Sequence, residues 1–276
     1  MLFAVGNIDM NLLLDGIIGM AKDETSVHEL NEEKGQGSWT HADGWGISYL
    51  NEKGEWIIEK STEAIFEDPD VDKFRSIKTN LAIVHVRKKM GSEKSIYNTH
   101  PFTIQKDNPG SYVFCHNGFI DEDIFFDSSF KLKGETDSEK LFYSILTDLK
   151  KENLVKALRK NFKRYKKLTG TNIILSTKES SVIAIRENHF PRYYRMNIGI
   201  NEESFIISSE KLDNIANVIW QPLEQGDIIR IDNKNLKIDI HKLKKPILQR
   251  TLSRLRSSSQ KYLSVPLKSY LIPPRI

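Results

Sequence analysis

The sequence predicts a strand-rich α+β fold, two layers of sheet covered by helices, and three observations carry that prediction. Apolar segments of strand length recur along the chain, enriched in Val, Ile, Phe and Tyr. Helical periodicity is concentrated in a few longer blocks instead of being spread between all the strands. No internal repeat and no phosphate-binding glycine loop interrupts this pattern.

Taken in order, Leu2 to Val5 reads as a short buried strand. A helix follows over about 11–22, its apolar positions being Leu13, Leu14, Ile17, Ile18 and Met20, with Asp9 as its cap. Segments 46–50 and 55–60 form a hairpin around Glu52-Lys53-Gly54. Strands at 81–87 and 111–116 enclose a loop that carries Gly91, Asn98 and Pro101. Thr136 caps a helix over about 137–150 through the Thr-x-x-Glu pattern that ends at Glu139. A second helix runs to about 166, with Leu154, Leu158, Phe162 and Tyr165 on one stripe. Strands at 172–176, 181–186, 193–198, 204–208 and 227–231 complete the set.

At 276 residues, with 39% hydrophobic and 28% charged side chains, the chain is long enough to bury a substantial core. No apolar run approaches the roughly 20 residues of a membrane span, and Asp9 and Asp15 interrupt any signal-peptide pattern at the start. A single cysteine excludes a disulfide framework and fits a reducing cytoplasm. The net charge of +4 is unevenly spread. Nine Lys or Arg and no acid fall between Ile240 and Ile276, which leaves residues 1–239 near −5. Domain 1–245 is therefore followed by a basic extension, 246–276, in which Pro246, Pro266, Pro273, Pro274 and the run Ser257-Ser258-Ser259 disfavour a compact fold. Nucleic-acid binding by this extension is disfavoured, because it offers only Tyr262 and Tyr270 for stacking on bases.

No nucleotide cofactor is indicated, since Asp43-Gly44-Trp45-Gly46 lacks the strand before it and the helix after it that a dinucleotide site needs. His85, His100 and His116 show no metal-ligand spacing and read as histidines that organise loops or satisfy the core. A different chemistry suits the polar residues. Asn117 and Gly118 offer an amide side chain and a backbone N–H that could serve one oxyanion. Arg87 has the forked guanidinium that grips a carboxylate, and Asp137 can accept from an ammonium. A free amino acid carries both of those charges. Each feature alone also has a plain account, Asn117-Gly118 as a hairpin turn, Arg87 as an ion-paired strand end, and Asp137 as a helix N-terminal acid.

His85-Val86-Arg87, Asn98-Thr99-His100-Pro101-Phe102, His116-Asn117-Gly118 and Gly134-Glu135-Thr136-Asp137-Ser138-Glu139 stand in the order and approximate spacing of the class II glutamine amidotransferases, which the chain resembles over about residues 1–235. His41-Ala42-Asp43-Gly44-Trp45-Gly46, Ser208-Ser209-Glu210-Lys211-Leu212 and Trp220-Gln221-Pro222 resemble the stand-alone branch of that family. The resemblance implies a four-layer αββα sandwich of two stacked antiparallel sheets, of the N-terminal-nucleophile hydrolase type. It implies that an N-terminal cysteine, with its own α-amine as base, attacks the side-chain amide of glutamine and releases ammonia. By position Arg87 would hold the substrate carboxylate, Asp137 its amino group, and Asn117 with Gly118 the oxyanion, with His100 organising the loop beside the pocket. Met90 and Gly91 depart from the family pattern after the arginine, which leaves free glutamine and another γ-glutamyl compound both open.

The chain departs from the family at the attacking atom, because position 2 is Leu and the only cysteine, Cys115, reads as a buried hydrophobe in a strand. Two expectations follow. In the favoured one an in-frame Met-Cys-Arg precedes Met1, so that Leu2-Phe3-Ala4-Val5-Gly6 is the family's first strand. In the other, Leu2 occupies the cysteine position, and the protein binds glutamine or a partner without catalysis. A weaker third makes the basic extension a nucleic-acid binder. Ammonia would pass to a partner subunit or be released by simple amide hydrolysis.

Overall fold

The computed structural model describes residues 1–33, 38–104, 111–186 and 189–242. The expected extension 246–276 lies outside the described residues. The strands form two antiparallel sheets. The first holds β1 (Leu2–Gly6), β2 (Trp45–Leu50), β3 (Trp56–Ser61), β4 (Leu81–Val86), β9 (Asn197–Ile200), β10 (Ser204–Ser208) and β11 (Ile219–Pro222), in the order β11-β9-β10-β1-β4-β2-β3. The second holds β5 (Phe102–Ile104), β6 (Tyr112–Ile120), β7 (Leu168–Ser176), β8 (Ser180–Arg186), β12 (Asp227–Asp232) and β13 (Ile238–Lys242), in the order β13-β12-β8-β7-β6-β5.

Three apolar layers make this a sandwich. Phe3, Val5, Ile83, Val113, Cys115, Ile174 and Ile229 fill the space between the sheets. On the outer face of the first sheet, Leu2, Ala4, Ala82 and Val84 pack with Leu13, Leu14 and Ile17 of helix α1 (Met10–Ala21). On the outer face of the second, Phe114, Ile173 and Leu175 meet Leu141, Phe142 and Ile145 of helix α3 (Asp137–Leu149) and Leu158 of helix α4 (Leu154–Arg164). Neighbouring residues of one strand thus serve opposite layers, Leu2 outward and Phe3 inward, because side chains alternate along a strand. That is why the central strands read as continuous apolar runs. The result is the expected four-layer αββα architecture.

The caps follow the sequence. Asp9, Thr136 and Asn153 accept hydrogen bonds from the N–H groups of Leu12, Glu139 and Lys156 at 3.1–3.2 Å. Glu139 does not complete the reciprocal half of its box, and instead its carboxylate accepts from the N–H groups of Lys133 and Gly134 at 2.9 and 2.8 Å, fixing the loop ahead of α3. Three strands, β5, β11 and β13, and the short helix α2 (Glu29–Glu33) are additions to the expected set. The strand expected at 193–198 begins only at Asn197. Its first residues are diverted because the Glu29 carboxylate accepts from the N–H groups of Arg192 and Tyr193, at 2.9 and 3.1 Å, which removes those donors from any ladder.

Candidate active site

The start of β1, the end of β4, the middle of β6 and the N-terminus of α3 converge on one cavity of about 500 Å³. Met1, Arg87, His100, Asn117, Gly118 and Asp137 all line it. The residues proposed from sequence come from segments far apart in the chain, and the fold brings every one of them to this wall.

Arg87 is 4% exposed and follows the last residue of β4. Its backbone pairs with the Asp43-Gly44 turn, donating to Gly44 O at 2.8 Å and accepting from Asp43 N at 3.0 Å. The guanidinium donates to Asp43 O (3.2 Å), Ser92 Oγ (2.6 Å) and Glu93 O (3.1 Å). Burial lowers its pKa, opposed by the nearby Asp43 and Glu135 carboxylates, yet a guanidinium stays charged at any physiological pH. A desolvated, oriented cation is thereby presented to the cavity.

Asn117 and Gly118 lie in the middle of β6, paired with Asn172 and Thr171 of β7, so the hairpin-turn account does not hold. Gly118 needs to be glycine for a packing reason. A Cβ there would stand 1.9 Å from Gly170 O and 2.8 Å from His116 Nε2. Asp137 is the first residue of α3, and its Oδ2 accepts from Ile120 N at 2.8 Å, tying the helix start to the end of β6. His116 Nδ1 meets Ser138 Oγ at 2.9 Å, a second tie between the same elements.

The His100 and His85 rings pack together, tilted by 32°, with centroids 4.1 Å apart. Gly46 of β2 makes room for them, since a Cβ on it would lie 2.0 Å from the His100 carbonyl oxygen. Both ring nitrogens of His100 and Nδ1 of His85 and His41 are buried with no hydrogen-bond partner among the described residues. Burial is the first cause that lowers all three pKa values, with like charge from neighbouring cationic groups adding to it, and His41 falls to about 3. These imidazoles are neutral at pH 7.

The α-amine of Met1 faces the same space. It donates to Ser209 Oγ at 3.2 Å, and Ser209 N donates back to Met1 O at 3.1 Å. Burial pulls its pKa down to about 6, with Cys115 and Glu210 opposing. An amine at the head of β1 is therefore a free base at neutral pH, the state in which it can take a proton. Cys115, by contrast, is fully buried in the layer between the sheets, and burial pushes its thiol up to about 12. It is a core hydrophobe, as expected.

Sequence reading missed Trp39, Tyr193 and Tyr194, which also line the cavity. Tyr193 Oη meets His41 Nε2 at 3.2 Å across 152 positions of chain, a separation that carries no local signal. Among the described residues no group of three or more His, Cys, Asp or Glu is placed to hold a metal ion, and no helix is long and apolar enough to cross a membrane.

Comparison with known proteins bears on the family and the fold. A family model of the class-II glutamine amidotransferases matches residues 22–197. An uncharacterized protein of Methanocaldococcus jannaschii is 28% identical over 227 residues, which cover 70% of this chain and 62% of that one. The protein of Escherichia coli named "putative glutamine amidotransferase YafJ" is 32% identical over 120 residues, 42% of this chain and 46% of that one. The matches thus span less than two thirds of either relative. Among solved structures, the glutamine phosphoribosylpyrophosphate amidotransferase of B. subtilis superposes with a TM-score of 0.61 at 17% identity, over 89% of this chain and 50% of that one, a likeness of fold. With two stacked antiparallel sheets of the N-terminal-nucleophile type and a family match over more than half its length, the chain belongs to the class II glutamine amidotransferases.

Proposed function

We propose that the cavity binds glutamine, or a γ-glutamyl compound, and is built to hydrolyse its side-chain amide with a cysteine thiol presented at the head of β1. The observation that carries this reading is that Arg87, Asp137, Asn117, Gly118 and Met1, at the start of β1, line one cavity. Arg87 pairs with the substrate α-carboxylate and Asp137 with its α-ammonium. The thiol gives its proton to the adjacent amine, the thiolate attacks the amide carbon, and the oxyanion that forms is held by the Asn117 amide and the Gly118 N–H. The carbon–nitrogen bond breaks, and the nitrogen leaves as ammonia with the proton the amine held. Water then cleaves the thioester to glutamate. In the form that carries this cysteine the base is the cysteine's own α-amine; the Met1 amine, whose pKa burial lowers in the chain as it stands, becomes a peptide nitrogen there. A thiol in that role needs a reducing compartment such as the cytoplasm, and the ammonia goes to a partner subunit or to solvent.

Met1, whose thioether cannot attack a carbonyl, stands at the head of β1 in this sequence, so a second reading is binding without cleavage. One experiment separates them. Met-Cys-Arg joined ahead of Met1 is expected to yield a protein that releases ammonia from glutamine, and replacing that cysteine with alanine to abolish release. Asn117→Ala in the active form is expected to cost about 10²-fold in rate, as loss of one oxyanion donor does. Glutamine binding by both forms with turnover by neither would leave the binding reading alone, and absence of binding as well would sink the glutamine-type site.

A further inference from the structure

Strand β7 departs from regular pairing where it passes the cavity. Asn172, Thr171 and Gly170 stand opposite Asn117, Gly118 and Phe119 of β6, but Ile120 stands opposite Leu168, so Thr169 is an extra residue with none facing it in β6. A bulge of this kind re-aims the side chain it carries, and bulges are frequent beside active sites. Thr169 lines the cavity, as do Gly118 and Phe119 across the ladder. Ile120, at the other side of the bulge, donates its N–H to Asp137 Oδ2 at 2.8 Å. The bulge and Asp137 therefore share one part of the cavity wall.

The hydroxyl at the bulge is held in place. Thr169 Oγ1 meets Tyr194 Oη at 3.3 Å, and the Thr169 carbonyl accepts from His189 N at 3.1 Å. Tyr194 is 7% exposed and is anchored in turn by the buried Asn172 of β7, whose Nδ2 donates to Tyr194 O at 2.6 Å. Burial raises the Tyr194 phenol above its ordinary value; the Thr169 hydrogen bond opposes this, and the Asp137 carboxylate adds to it. The phenol thus keeps its proton at neutral pH. It can donate that proton to Thr169 and leave a lone pair of Oγ1 for a ligand.

An amino-acid ligand brings a need that this hydroxyl meets. Its ammonium carries three N–H donors, and each one taken out of water without an acceptor is costly. Asp137 has committed Oδ2 to Ile120 N, and its Oδ1 makes no hydrogen bond among the described residues. Oδ1 can take one of the three donors, and Thr169 Oγ1 is an acceptor built into the same part of the wall for another.

We propose that Thr169, braced by Tyr194, is a second acceptor for the ligand's α-ammonium beside Asp137 and sets the preference of the site for an α-amino acid. The proposal rests on the glutamine-type reading above and adds to it two residues which that reading does not use. Titration calorimetry of the full chain with L-glutamine and with glutaramate, the same molecule without its ammonium, tests it with no need for turnover. Thr169→Val keeps the branched shape and removes the hydroxyl. It is expected to weaken glutamine binding about tenfold or more, as loss of a hydrogen bond to a charged group does, and to leave glutaramate binding unchanged. Thr169→Ser, which keeps the hydroxyl, is expected to bind glutamine like the unaltered chain, and Tyr194→Phe to show a smaller loss confined to glutamine. A valine variant that binds glutamine normally, or that loses glutamine and glutaramate equally, overturns the proposal and leaves the glutamine site standing, as does equal loss of glutamine in the serine and valine variants. Where glutaramate binds too weakly to titrate, the serine and valine variants decide alone. Glutamine binding by none of the forms, the unaltered chain included, overturns both readings.

Discussion

Two residues show how much of this site depends on single atoms. Arg87 has its guanidinium spread over three oxygen acceptors in the loop that faces the cavity, so its orientation is set before any ligand arrives. A lysine there would keep the charge and lose the fork. Arg87→Lys is therefore expected to weaken glutamine binding at least tenfold, measurable by titration calorimetry, and near-normal affinity would remove Arg87 from the carboxylate role. Gly118 is limited by space. Because a Cβ would fall 1.9 Å from the backbone oxygen of Gly170, Gly118→Ala must push β6 away from β7. We expect a loss of about 1–3 kcal/mol in unfolding free energy, the usual cost of overpacking, and a larger loss of glutamine affinity, since the displaced N–H is the proposed oxyanion donor. Denaturant titration beside the binding measurement reads both.

At the scale of elements, α3 carries the site and α4 holds α3 in place. Asp148 of α3 is 5% exposed and accepts from Lys160 Nζ at 2.6 Å, Asn161 Nδ2 at 2.8 Å and Arg164 Nη2 at 2.9 Å, all from α4. Asp148→Ala removes an acceptor shared by the part-exposed Arg164 and the buried Asn161 amide, which keeps Ala157 O, and is expected to cost about 1–3 kcal/mol in stability. Lys160, whose side chain is 53% exposed, contributes less, and Lys160→Ala should cost under about 1 kcal/mol. Equal effects in denaturant unfolding would contradict this ranking. Helices α1, α3 and α4 were legible from periodicity and caps, because each has one apolar stripe and one layer to cover, whereas the five-residue α2 has neither. Three of the four edge strands, β5, β11 and β13, were not. β11 ends in Pro222 and pairs with β9 alone, so it lacks both the apolar pattern of a central strand and a neighbour on its other side. Tyr193 and Tyr194 have the composition of a strand, but the carboxylate of Glu29, remote in sequence, captures the backbone N–H groups of Arg192 and Tyr193.

Across the whole molecule, burial of neutral histidines makes stability depend on pH. His28, His41, His85, His100 and His116 all have lowered pKa values, with desolvation the first cause in each. Below the ordinary histidine value of about 6.5 the unfolded chain binds protons that the folded chain refuses, so stability falls as pH drops through that value. The Met1 amine, lowered to about 6 from 8.0, acts in the same direction. Its penalty is complete below pH 6 and disappears as pH rises through 8. The unfolding temperature is therefore expected to rise from pH 5 to pH 8, most steeply between 5 and 7, and a flat profile in scanning calorimetry would mean that these groups are solvated in the native state.

The sequence by itself determined the layers and the chemistry of the polar residues. Alternating apolar strands with both faces covered, capped amphipathic helices, and the ordered Arg87, Asn117-Gly118 and Asp137 segments are local patterns, and local patterns survive in a one-dimensional string. Only the tertiary structure decided which residues share a wall. Trp39 and Tyr193, like Met1 and Ser209, meet through sheet pairing and ring packing between segments remote in the chain. Their contact is set by how the sheets stack and how Glu29 pins the Tyr193 segment, and neither residue carries a mark of its partner. The Arg87, Asn117-Gly118 and Asp137 lining of the cavity could thus be read from motifs, whereas the contact of Trp39 with Tyr193 exists only once the chain has folded.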